Sequence, residues 1–205
     1  MFVKLGCMRK SADEAQQTRE RIVAAGVMQS SVEGLFGLTL GPLAESLGMS
    51  KAGVVGPFGN REGLQLEVVR QAADMFTAAV IEPSATTADG LPRLRALIDA
   101  WCEYLEASPF PNGCFVTAAS CELDGRPGPL RDAMHDVVSR WRGFLREHIT
   151  IAQAAGDLRG DPDDLVSILN GAAMSANQEI QLLGDHAAAK HARRIMHACI
   201  AQLQP

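Results

Sequence analysis

Paired cysteines, long apolar runs and aromatic side chains are all scarce in this chain of 205 residues. Its five cysteines, Cys7, Cys102, Cys114, Cys121 and Cys199, contain no Cys-x-x-Cys pair. An odd, scattered set argues against a disulfide framework and against a zinc site. The cysteines read as small buried hydrophobes; a redox pair of Cys114 and Cys121 on one helical face is the alternative. No apolar run approaches the roughly 20 residues that span a bilayer. The opening MFVKLGCMRK meets charge too soon to be a secretory leader. These absences predict a cytoplasmic protein with no membrane partner, starting at Met1 or Met8. Aromatic residues make up 5% of the chain, with a single Tyr. No segment alternates apolar and polar residues over a strand's length, which excludes a sheet. No phosphate loop, nucleophile–base–orienter set or His/Asp/Glu cluster at ligand spacing is present. The expectation is therefore no catalytic residue, no metal and no cofactor.

Charge of one sign is also thin. The net charge is −5, which as a global value does not suggest a nucleic-acid binder. Its distribution is uneven, however. Residues 1–70 hold eight basic and seven acidic side chains, and residues 71–205 hold eleven and seventeen. The first third lacks the acidity of the rest.

The chain reads as helix almost throughout. Residues 18–31 carry Ile22, Ala25, Gly26 and Gln29 on one face, and Gly34 stops that helix. Thr39 opens a short helix closed by Gly48, and Ser50 caps the next. Pro57 must end it, because proline lacks an N–H and clashes with the preceding turn. Asn60 caps a helix from Arg61 to about Val80. After a turn-rich joint at 83–90, five more helices are predicted: 91–107, a short one from Asn112 or Gly113 to Glu122, 130–155, 162–183 and 187–203. Asp161 followed by Pro162 is a strong start signal. The fold class is all-α with about nine helices: a flexible arm at 1–17, a helix-turn-helix domain at 18–63 with its connecting helix to about 80, and a larger domain at 81–205.

The stretch MSKAGVVGPFGNREG (49–63) gathers four glycines and a proline, the poorest helix formers, inside this helical pattern. Two short helices joined by the tight turn GMS, after a longer helix, have the shape of a helix-turn-helix. The helix from Ser50 is then the one that enters a major groove. Backbone amides at its start and after Asn60 can face phosphate, with Lys51 and Arg61 beside them. From local pattern alone, a three-helix packing unit with incidental turns is the alternative. Arg9, Lys10, Arg19 and Arg21 can add backbone or minor-groove contacts, or can form a solvated arm.

The run TRERIVAAG…VEGLFGLTLGPLAESLGMSKAGVVGPFGNREGLQLEVV, over about 18–70, resembles the DNA-binding domain of the TetR family of transcriptional regulators. The segment GCFVTAASCELDGRPGPLRDAM (113–134) is similar to the start of the regulatory domain in one branch of that family. The resemblance implies a homodimer on a roughly palindromic double-stranded DNA operator, released by a small-molecule effector in the C-terminal domain, and most often a repressor. It implies that Thr39 and Gly41 sit near phosphate and that Lys51 and Ala52 touch bases. It also implies that Gly53, Val55, Gly56 and Pro57 meet backbone or base edges, and that Arg61 holds a phosphate. At Gly41, Val55 and Pro57 the chain departs from the family's polar or aromatic residues. That leaves Ser50 and Lys51 as the polar side chains of the recognition helix. The departure motivates an alternative function: a dimeric helical small-molecule-binding protein with weakened or lost DNA recognition.

Trp101, Tyr104, Phe110, Phe115, Met134, Trp141 and Met174 can line an effector pocket, with polar contacts from Asn177 and Gln178 or from His135 and Asp136; plain core packing is the competing reading for each. Leu165, Ile168, Leu169, Ala172, Ala173 and Ala176 form one stripe. Ala188, Ala189, Ala192, Ile195, Met196, Cys199, Ile200 and Leu203 form another. Small residues there suit close approach of two copies, and the family resemblance favours a dimer interface over burial in the chain's own core.

Overall fold

The computed structural model describes the backbone from residue 3 to 205 and side chains from residue 12 onward. Among the described residues there is no strand, and the helices are α1 (Val3–Glu33), α2 (Leu40–Leu47), α3 (Lys51–Val55), α4 (Arg61–Phe76), α5 (Leu91–Ala107), α6 (Phe115–Leu123), α7 (Pro129–Ala154), α8 (Pro162–Leu183) and α9 (Ala188–Gln202). The chain is all-α, as the missing alternation demanded. It divides into two units, Met1–Gln71 and Ala72–Pro205, with the division falling inside α4.

The first unit packs α1 to α4 around Ile22, Val27, Leu35, Leu38, Leu43, Val54, Leu64 and Val68, each nearly inaccessible. Helix α1 begins well before residue 18, so 12–17 are helical rather than an arm. Arg9, Lys10 and Cys7 lie outside the described side chains.

The second unit is built on α5, which packs against α7, α8 and α9, while α8 packs on α9 and α6 on α7. Local chemistry sets the ends of these helices. Asp161 Oδ1 accepts N–H bonds from Asp163 (2.7 Å) and Asp164 (3.3 Å), with Pro162 in the first turn. Helix α4 does not run straight on to residue 80. It gives way to a widened π-type turn, Thr77–Ile81, in which the Glu82 N–H reaches back five residues to the Thr77 carbonyl. Pro83 follows and can donate nothing, so the usual four-residue ladder cannot continue.

Helix α6 starts at Phe115, later than expected, because its first turn is capped from a distance. Asn177 Oδ1, on α8, accepts the Cys114 N–H at 2.8 Å. Gly113 precedes it at φ 77°, and a Cβ there would lie 2.5 Å from that same oxygen. Glycine meets both a left-handed backbone and a lack of room. Of the cysteines, Cys102 and Cys114 are buried, Cys199 is intermediate and Cys121 is exposed. Burial pushes the Cys102 thiol up to about 11, which makes it an unreactive core sulfur. Cys114 sits in the α6 cap rather than on a shared helical face with Cys121.

His148 on α7 is 1% exposed, and neither ring nitrogen has a partner. Its ring stands edge-on to Phe144 at 4.7 Å. Burial, then the charge of Arg93, lowers its pKa from 6.5, only partly offset by Glu147 and Asp89. The folded chain therefore keeps this ring neutral at a pH where the unfolded chain protonates it. Its contribution to stability is intact above pH ~6.5 and is lost as pH falls below that value. Urea unfolding of His148→Leu across this range is expected to show a shallower fall in stability with acidification than the natural chain; an unchanged slope counts against a neutral buried ring. Gly113→Ala is expected to destabilise by about 2 kcal/mol or more, measured in the same way.

Candidate nucleic-acid interface and effector cavity

The turn between α2 and α3 is closed by Gly48 at φ 63°, whose N–H reaches the Ala44 and Glu45 carbonyls while the Met49 N–H reaches Ala44 at 2.9 Å. Nothing lies within 4 Å of a Cβ built on Gly48, so the left-handed backbone alone asks for glycine. Ser50 Oγ then accepts the Gly53 N–H at 3.0 Å and starts α3. Val54 is fully buried and seats the helix on its unit. That orientation leaves Lys51 and Ala52 exposed and Gly53 and Val55 half-covered. After five residues α3 tightens into a 3₁₀ turn, Gly56–Phe58, containing Pro57. Asn60 Oδ1 accepts the Gly63 N–H at 2.7 Å to open α4.

The cations of this region divide sharply. Arg61 is engaged in the fold. Its Nε donates to the Leu38 carbonyl at 2.7 Å and its Nη2 to the Phe36 carbonyl. One turn along α4, the buried Gln65 side chain donates to the Leu35 carbonyl. Two side chains at i and i+4 thus satisfy three carbonyls of the turn before α2. Arg19 is engaged too: it donates to the Pro57 carbonyl at 2.7 Å, pairs with Glu67 at 3.0 Å and lies 4.5 Å over the Phe58 ring. Arg61 was expected at a phosphate, and Arg19 at the DNA backbone, in a minor groove or on a solvated arm; both instead donate to backbone carbonyls of their own unit. Ser50 and Asn60 use their side-chain oxygens as caps. The Thr39 side chain caps nothing and is exposed beside Gly41. A Cβ on Gly41 would meet Lys51 Cε at 3.5 Å, so the lysine stem lies across α2. Lys51 is exposed at the start of α3.

The second unit holds a cavity of about 340 Å³. Its walls come from the end of α4, the π turn and helices α5 to α8. Trp101, Trp141 and Met174 line it as the sequence suggested. Tyr104, Phe115, Asn177 and Met134 do not. Tyr104 lies behind Phe76, with ring centroids 5.4 Å apart, and Phe115 packs on Phe110 at 5.9 Å. Asn177 is the cap of α6. Met134 and His135 border a separate, shallower cavity of about 200 Å³. Phe76, Phe144, Asn170, Asp74 and Arg140 line the main cavity and escaped the sequence reading. Phe144 sits three residues past Trp141, so helical spacing alone could have found it. Trp101 and Trp141 meet edge to face at 4.8 Å, and Phe76 meets Trp141 likewise at 5.1 Å.

The stripes on α8 and α9 also divide. Leu165, Leu169, Ala176, Ala192, Met196 and Ile200 are buried within their own unit, which explains their spacing without a second copy. Ile168 and Ile195 are 46% and 50% exposed, with Ala172 and Cys199 at intermediate exposure beside them. Leu182 and Leu183, at the end of α8, are more than 70% exposed.

Among the described residues no group of three or more His, Cys, Asp or Glu side chains could hold a metal ion, and no helix is long and apolar enough to cross a membrane. A Ser139–His135–Asp136 row does occur on α7, with contacts of 3.5 and 3.3 Å. All three residues are exposed, so water has free access and nothing fixes the row for nucleophilic work.

Known proteins give one consistent answer. A TetR transcriptional regulator from Chloroflexus aurantiacus J-10-FL has a TM-score of 0.86 at 24% identity, covering 94% of this chain and 98% of that one. TetR-family regulators from Cytophaga hutchinsonii (TM-score 0.81, 17% identity, 93% and 96% covered) and Agrobacterium tumefaciens (0.80, 18%, 93% and 100%) share the same fold. No curated protein matches the chain. A family model described as the tetracyclin repressor-like C-terminal domain matches residues 90–196, more than half of the sequence. On that match, with the helix-turn-helix of α2 and α3 ahead of it, the chain belongs to the TetR family of transcriptional regulators.

Proposed function

We propose that this protein is a cytoplasmic, ligand-responsive repressor that binds a palindromic operator as a homodimer and is released by a small molecule in the cavity of its second unit. The observation that carries the reading is Lys51: a flexible cation with no ion pair among the described residues, at the exposed start of a helix that Ser50 caps and Val54 anchors. Lys51 can donate to guanine acceptors and Ala52 can touch a thymine methyl. Backbone amides and Thr39 then supply contacts to phosphate. The exposed Ile168, Ile195, Leu182 and Leu183 support a second copy of the chain as the cover for α8 and α9. The family's members are regulators rather than enzymes, and the exposed row on α7 offers no competing site.

A second reading has its own observation. Arg19, Ser50, Asn60 and Arg61 are engaged within the fold, so α3 offers a groove little beyond Lys51 and Ala52. A dimeric binding protein with weakened DNA recognition would look the same. Titration with the promoter DNA flanking its own gene separates the two. Sequence-selective binding that weakens with salt supports the repressor, whereas no selective binding at low salt sinks it.

Two variants test the division of the cations. Lys51→Ala is expected to weaken operator binding about tenfold, the cost of one good base contact, with unfolding unchanged. Arg61→Gln is expected to lower stability by about 1–2 kcal/mol through the unsatisfied carbonyls of Phe36 and Leu38. Urea unfolding and operator titration of both variants check this. Arg61→Gln that weakens DNA binding without loss of stability would return that residue to the phosphate.

A further inference from the structure

The reading of the main cavity as an effector site leaves open what it takes. We propose that the ligand is an uncharged, compact aromatic molecule with one hydroxyl-type polar end, and this inference rests on that reading of the cavity. Three observations carry it. First, Phe76, Trp101 and Trp141 are each 5–7% exposed and stand at 80–90° to one another, with centroids 4.8–6.4 Å apart. At these distances each ring's edge already rests on a neighbour's face. The wall is rigid and apolar, but its faces are not left open as a cage for an organic cation.

Second, the charged residues of the lining are Asp74 and Arg140, of opposite sign and both exposed. A ligand with a single charge of either sign meets one attraction and one repulsion there, both screened by water. Any charge carried further in would be desolvated against apolar walls, which weakens binding. Third, the half-buried polar lining is neutral: Thr117 and Ser120 on α6 and Asn170 on α8. Ser120 donates its O–H to the Thr117 carbonyl at 2.9 Å, and the Asn170 amide nitrogen faces Met174 Sδ at 3.3 Å. What remains is the Thr117 hydroxyl, the Asn170 carbonyl oxygen and the buried Trp141 Nε1–H, which has no partner among the described residues. Donor and acceptor together suit a hydroxyl, which also does both. A volume of about 340 Å³ lies at the small end of ligand cavities, which fits a fused-ring body.

Trp101 and Trp141 are the chain's two tryptophans, and both line the cavity, so intrinsic fluorescence reports occupancy directly. The full-length protein is titrated at neutral pH with 2-naphthol, 2-naphthoate and 2-naphthyltrimethylammonium, which share one ring system and differ in charge. Naphthol is expected to bind at least about tenfold more tightly than either ion. Equal or tighter binding of either ion overturns the proposal, as does no binding of naphthol at millimolar concentration. Asp74→Asn and Arg140→Gln are expected to leave naphthol affinity within about threefold, since rim charges contribute little; a tenfold change in either assigns recognition to that charge and overturns the proposal. Val138→Phe, which fills the cavity from a half-buried position, is expected to lower naphthol affinity about tenfold; unchanged affinity in a folded variant places the probe elsewhere and overturns the proposal. Operator release is measured separately. Naphthol that binds without affecting DNA leaves the ligand class standing and removes the regulatory reading of the cavity.

Discussion

The helix-turn-helix unit of this protein depends on the backbone carbonyls that its tight turns leave behind. A helix end exposes acceptors that no helical N–H can reach, and the turn between α1 and α2 presents the carbonyls of Leu35, Phe36 and Leu38 to α4. Arg61 and Gln65, one turn apart on α4, satisfy those of Phe36, Leu38 and Leu35. Arg19 does the same for the Pro57 carbonyl at the end of the 3₁₀ turn after α3. These bonds hold the turns on either side of the helix-turn-helix. Without them Lys51 would still be exposed, but the helix that aims it would lose its frame. Basic side chains here serve the fold first, and the number free to meet a nucleic acid is smaller than the count of arginines suggests.

The second unit solves a different problem. A cavity survives in a packed interior only where its walls resist collapse. Perpendicular contacts among Phe76, Trp101 and Trp141 supply that stiffness. The widened turn at Thr77–Ile81, which ends just before Pro83, brings Thr77 and Ile81 to the same lining. Asn177 contributes indirectly: by capping α6 it fixes the helix that carries Thr117 and Ser120. A polar residue expected to touch a ligand instead sets the position of residues that line its cavity.

Much of this was legible in the chain. Ser50, Asn60, Asp161 with Pro162, Gly48 and Pro57 act through bonds to residues at most five positions away, so their effects follow from sequence order. The nine α-helices among the described residues, and most of their ends, were readable for that reason. The errors share a cause as well. Helical spacing says that Leu165, Ile168, Leu169 and Ala172 lie on one broad face, but it does not say what covers that face. Leu169 is buried in its own unit while Ile168, one residue away, is nearly half exposed. Tyr104 and Trp101 share a stripe on α5, yet only Trp101 reaches the cavity.

The sequence by itself determined the all-α class, the helix-turn-helix and the turn glycines, because propensity, capping and the geometry of proline are local. Only the tertiary structure decided the partners of Arg19, Arg61 and Asn177. Their bonds span 38, 23 to 25 and 63 residues, and the acceptors and donors they meet exist as unsatisfied groups only once neighbouring helices have stopped. Which cation the fold leaves exposed, and which amide shapes the cavity, follows from that long-range satisfaction of backbone groups and not from residue type.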